Sequence, residues 1–260
     1  MRLDPFGGYN RGVRRGERMI GKRLAQYEIL DKEKHRQVRV KTGYGAALGD
    51  AVMYVMTYPM EFRDIQSCYP ILFTKDPNTG GFFAAALMGF EADQNLFLRD
   101  DRWDAHYVPA MIQRQPFLIA TRGEGDNADP AVSVDLDHPR VSQDDGEALF
   151  DSEGGPSEFL NQKIAVLDKL HRGLQHSNGF IDALLRHELL EQVTLDLAFH
   201  DGAKQTLQGF YTIAEEQLYQ LKGDALELLN QAGYLQPIFM AVASLSRVRD
   251  IIERRNQLRV

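Results

Sequence analysis

The hydrophobic period of the chain changes near Gly154, and that change limits the folds open to it. Beyond it, Leu160, Ile164, Leu167, Leu170 and Leu174 recur at spacings of four, three, three and four. That rhythm sets one apolar face on a helix of about five turns, with Ser157 placed to cap its start. Before it, the apolar residues alternate or fall in short runs bounded by turn residues, over 37–41, 51–57, 71–74, 117–121 and 131–136. Such runs predict strands. Between two of them lies Lys75-Asp76-Pro77-Asn78-Thr79-Gly80-Gly81, whose Pro, Asn and Gly residues suit a turn, so a hairpin is expected over 71–90.

The rest of the chain fills in around this change. A turn over 99–104 leads into a short helix over 107–113, and 122–130 and 138–146 read as polar loops. A second helix is expected over 180–190. Val193, Leu195, Leu197 and Phe199 then alternate with polar or small residues, and Asp201-Gly202 supplies a hairpin turn to a partner strand over 205–213. Helices over 215–221, 225–231 and 235–256 close the chain, with Gly233 as a C-cap and Pro237 in a first turn. The expected class is α+β: a β-rich half over 36–150 packed against a mainly helical half over 151–256 that contains one β-hairpin, together forming one domain.

Charge is distributed unevenly. Residues 1–41 hold twelve Lys and Arg against five Asp and Glu, so their balance of +7 leaves −14 for the remainder of a chain whose total is −7. The basic, Gly-rich stretch over 1–35 reads as an arm that is mobile in the free protein and suits an acidic partner through Arg11, Arg14, Arg15 and Arg18. A body at −14 argues against a dedicated nucleic-acid binder. No window offers the ~18 apolar residues that span a bilayer, so membrane insertion as a helical permease is not expected. The first residues do not resemble a secretory signal, and a single cysteine, Cys68, forms no intrachain disulfide; both suit a cytoplasmic location.

Candidate chemistry is sparse. The seven histidines are scattered; His171 and His176 are five apart and point about 140° from one another on a regular helix, so no metal site is expected. No nucleophile elbow, phosphate loop or dinucleotide fingerprint occurs, and no cofactor is expected. Cys68 leads into an apolar strand and reads as a small buried hydrophobe. Asp135 and Asp137 lie two apart on an expected strand and so share a face, as a paired acid and base or as solvated strand-end charges. The most distinctive stretch runs over 99–109, where the only Trp of the chain, Trp103, is surrounded by Arg102, Asp104, His106 and Tyr107. These residues suit a ligand or partner platform, or a plug in which Trp103 covers core.

At this loop a family pattern emerges. Tyr69-Pro70-Ile71-Leu72-Phe73-Thr74-Lys75-Asp76, Asn95-Leu96-Phe97-Leu98, Trp103, Tyr107-Val108-Pro109-Ala110 and Pro116-Phe117 resemble, in this order, the SapC-like family of bacterial proteins. Val134-Asp135, Pro139-Arg140, Gly146-Glu147-Ala148-Leu149-Phe150 and Gly209-Phe210-Tyr211 extend the resemblance, which spans about residues 36–256. Members are often labelled peptide-transporter permeases, a label at odds with the hydropathy of this chain. The resemblance implies relatives encoded beside TonB-dependent receptors, and it supplies no catalytic residues. The leading expectation is a soluble accessory or binding protein that acts with a protein partner through the Trp103 loop. The opposing one is an enzyme in a small-molecule or peptide modification pathway, its site drawn from Asp135, Asp137, His106 and Arg102.

Overall fold

The computed structural model describes residues 27–122 and 129–258. The expected basic arm lies outside them as far as residue 26, as does most of the polar loop expected over 122–130. Strands predominate before residue 150 and helices after 157, with the hairpin Leu190–Ala198 and Lys204–Ile213 set among the helices, so the chain is α+β as expected. Its residues gather into two compact units that interleave along the sequence.

One unit takes the described residues up to Asp50, then Asp100–Trp103 and Ala110–Arg172. Its larger sheet is antiparallel, with Asp129–Asp135 between Tyr27–Ile29 and Phe117–Arg122. A second small sheet sets Arg39–Val40 between Val141–Ser142 and Glu147–Ala148. The first of these lies in a stretch expected to be loop. Val40, Phe117, Val134 and Leu149 form a core with Leu160 and Leu167 of the helix Glu158–Arg186. Each such side chain contributes roughly 1.5–3 kcal/mol when it leaves water. Ser157 starts that helix as its composition suggests, its Oγ accepting the Leu160 N–H at 3.1 Å while donating to the Ala148 carbonyl at 2.7 Å.

The other unit comprises Ala51–Arg99, Asp104–Pro109 and the residues from Gly173 onward. Its five-stranded antiparallel sheet runs in the order Leu190–Ala198, Lys204–Ile213, Ile71–Lys75, Phe82–Leu87, Tyr54–Thr57. The hairpin expected over 71–90 is present, with Ile71 opposite Ala86 and Lys75 opposite Phe82. Ile71, Leu72, Phe73 and Ala84 to Leu87 are all buried, because helices cover this sheet. The hairpin between Leu190 and Ile213 carries a bulge: Val193 faces Phe210 and Leu195 faces Leu207, leaving Thr194 opposite both Gln208 and Gly209. Gly209 holds the positive φ of +86° that the extra residue needs.

Two helical expectations are corrected. The break expected between residues 174 and 180 does not occur, and one 29-residue helix, Glu158–Arg186, runs through it. Within that stretch Ser177 donates its hydroxyl to the Gly173 carbonyl at 3.0 Å. Gly173 and Gly179 lie where neighbouring side chains leave no room for a Cβ: one at Gly173 would overlap the Tyr58 ring, and one at Gly179 would lie 2.6 Å from the Tyr234 hydroxyl. The terminal helix, expected to run unbroken over 235–256, divides into Leu235–Ser244 and Val248–Gln257 around a tighter 3-10 turn at Leu245–Arg247. At that point the buried Ser244 hydroxyl accepts the Ile71 N–H at 2.8 Å and donates to the Ala241 carbonyl at 2.6 Å.

Candidate functional site

The Trp103 loop is divided between the units: Asp100–Trp103 belongs to the first and Asp104–Pro109 to the second. Asp100 and Asp101 both adopt positive φ, at 49° and 58°, and make a sharp turn within the turn expected over 99–104. Within the first unit Trp103 is half-buried, its ring edge-on to Tyr44 with centroids 5.5 Å apart. Arg102 is exposed.

Behind Tyr44 lies the most heavily charged interior of this unit. The Arg140 guanidinium sits 5.5 Å from the Tyr44 ring centroid and clasps the carboxylate of Asp50 with Nη2, at 2.8 and 2.6 Å. Asp50 is 0% exposed and Arg140 4%. The other Arg140 donors reach the carbonyls of Lys41 and Gly43 at 3.1 and 2.6 Å and Oε1 of Gln115 at 3.3 Å, so all five N–H groups have acceptors. Asp50 Oδ2 also accepts the Gly45 N–H at 2.9 Å. The pair thus ties three segments of the unit together. Two neighbouring basic groups are shifted by their own burial and then by the charges here. His138 is held down to about 4, first by burial and then by the charges of Arg140 and Arg114, and its neutral Nδ1 accepts the Arg140 N–H at 3.2 Å. Lys163 is lowered to about 8, chiefly by burial and then by Arg140, with Asp50 opposing. Its amine donates to the Gln113 carbonyl at 2.6 Å. Burial also raises the Tyr44 phenol.

In the second unit the rest of the loop is anchored twice. Asp104 pairs with Arg254 at 2.6 Å, its carbonyl accepts a second Arg254 donor at 2.8 Å, and that guanidinium lies 4.3 Å from the Phe97 ring centroid. Tyr107 donates to Glu61 Oε1 at 2.8 Å while Thr57 donates to Oε2 at 2.7 Å. Glu61 is fully buried; the loss of solvent and the Glu61 charge both push the Tyr107 phenol far above its ordinary range. The Tyr69 hydroxyl donates to the Tyr107 carbonyl. His106, between these anchors, is exposed.

The two aspartates expected to share a strand face do not. The strand ends at Asp135, and Asp137 falls in the following turn, where Asp135 Oδ1 accepts its N–H at 3.1 Å. Burial raises the Asp135 carboxyl, that hydrogen bond opposes it, and Asp137 adds to the rise. Among the described residues, no group of three or more His, Cys, Asp and Glu is placed to hold a metal ion. The residues that the sequence reading missed are Asp50, Tyr44, Glu61 and Lys163. Only Lys163 left a signal: Leu160, Lys163, Leu167, Leu170 and Leu174 are themselves spaced three, four, three and four, so the lysine stands within an apolar stripe.

These features define an α+β protein whose loop over 99–109 is anchored by the Asp104–Arg254 ion pair and by the hydrogen bond of Tyr107 to buried Glu61, and presents a few exposed polar side chains. The family model SapC matches residues 30–251, and the chain belongs to the SapC family. No curated protein and no solved structure matches it significantly. No helix among the described residues is long and apolar enough to cross a membrane.

Proposed function

We propose that this SapC family member is an accessory or binding protein that recognises a protein partner through the exposed side of the 99–109 loop. The observation that supports this reading is the division of labour within the loop region. Its buried charges are spent on internal bonds, Arg140 on five acceptors and Glu61 on Thr57 and Tyr107, whereas Arg102 and His106 face solvent. Charges consumed in this way fix a surface, while exposed ones are available to read a partner. The setting we propose is TonB-dependent receptor-linked uptake or a surface-protein pathway, in the cytoplasm, without a bound cofactor. Affinity capture with the wild-type chain and with Arg102→Glu/His106→Glu, from the cells that make the protein, tests it. A stoichiometric partner retained by the wild type and lost by the double variant is expected. Recovery of the same proteins with both chains removes the loop from recognition.

A second reading, an enzyme in a small-molecule or peptide modification pathway, draws on Lys163, whose lowered amine is partly neutral near pH 8. Lysine-selective acylation at pH 7.5, followed by mass spectrometry, distinguishes the two. Preferential modification of Lys163 over the surface lysines favours the enzyme; uniform labelling favours the binding protein.

A further inference from the structure

The first unit contains a cavity of about 410 Å³ between the Asp129–Asp135 strand and the beginning of the Glu158–Arg186 helix. We infer that it binds a free carboxylate carrying a hydrocarbon chain, a medium-chain fatty acid being the simplest example. The volume falls within the ~300–1,000 Å³ usual for small-molecule sites. Leu30, Val132, Phe150 and Ile164 line it and also pack against the unit's core, so the cavity is an opening onto core side chains. Leu160 continues that wall. Apart from Lys32, no side chain among the described lining residues carries a donor or acceptor, and such walls match a hydrocarbon body.

The end group follows from charge. Lys32 is the one ionisable side chain among the described lining residues. It is exposed, and no ion pair occupies it among the described residues, whereas nearby Lys34 pairs with Glu28 and Asp31 accepts the N–H groups of Glu33 and Lys34. An apolar chain with an anionic head at the rim matches this arrangement. A peptide strand does not. Along one edge the Asp129–Asp135 strand is paired with Phe117–Arg122; along the other, Tyr27–Ile29 pairs only with Ser133–Asp135, Leu30 donates to the Val132 carbonyl at 2.8 Å, and Pro130 has no N–H, so the short remainder of that edge has no donor to offer an added strand.

Isothermal titration of the full chain with decanoate, below its micelle concentration, tests the inference, with decylammonium and decanol as head-group controls. Saturable binding of decanoate with a raised melting temperature is expected, stronger than either control. Lys32→Glu changes only an exposed side chain and should weaken decanoate by about fivefold or more while improving decylammonium. Val132→Phe, which enlarges a side chain of the cavity wall, should abolish binding with the circular dichroism spectrum kept. Absence of decanoate binding, equal affinity in Lys32→Glu, or capture of anionic phospholipid vesicles without capture of the free acid would each overturn it.

Discussion

At the residue scale, Asp50 and Arg140 decide more than any exposed charge. Both are almost wholly buried, and neither can lose its partner without leaving an uncompensated charge in a core. Asp50→Ala should therefore lower unfolding free energy by ~3–5 kcal/mol, read from urea midpoints. Combining Asp50→Leu with Arg140→Met should recover a large part of that loss, since two apolar side chains leave no orphan charge. A double variant no more stable than Asp50→Ala would show that the pair acts through its hydrogen bonds to Lys41 and Gly43 instead. Some of this scale was legible in the sequence. Cys68 is buried, as an apolar context suggested, and Ser157 caps its helix. Asp50 and Arg140 were not, because they are ninety residues apart and no local pattern reports that two polar side chains meet in a core.

Elements were read best where period and turn chemistry agreed. The hairpin Ile71–Lys75 with Phe82–Leu87 and the one between Leu190 and Ile213 were legible because a turn signal lay between two apolar runs. Ser177-Asn178-Gly179 lowers helix propensity and so suggests two helices where the single helix Glu158–Arg186 runs, in which Phe180 packs against Phe62, Phe73 and Tyr234 at centroid distances of 5.9, 6.4 and 5.4 Å. Packing of that kind outweighs a local preference of about 1 kcal/mol. Gly173 gives a test whose sign is informative. In an open helix Gly→Ala stabilises by ~1 kcal/mol, but here the added methyl meets the fully buried Tyr58 ring. Overpacking of ~1–3 kcal/mol should dominate, so Gly173→Ala should lower the melting temperature. A rise would mean that the ring moves freely aside.

For the whole molecule, stability should depend on pH in two windows set by depressed basic groups. The folded protein keeps His138 neutral down to about 4, against 6.5 when unfolded. The unfolded chain therefore binds the extra proton first, and this contribution, full above pH 6.5, is lost as pH falls toward 4. Asp135, raised by burial, acts in the opposite sense: its contribution is present below 3.8 and is lost as pH rises through its folded value, so it partly offsets His138 at the acid end. Lys163, at about 8 against 10.5, makes stability rise with pH between those values. Urea midpoints measured from pH 4 to 10 on the wild type and on His138→Asn check this. The variant should lose much of the slope between 6.5 and 4 and keep the alkaline rise. The interleaving of the two units has a consequence for synthesis. A ribosome releases the last part of the first unit with Arg172, but the second unit still lacks Lys204–Ile213, the strand that pairs with Ile71–Lys75. The apolar hairpin of residues 71–87 thus emerges early and waits, one edge uncovered, for more than a hundred further residues to be made. Nascent chains stalled in that interval are the ones a chaperone would have to shield, and no contiguous fragment of the gene would encode either unit without part of the other.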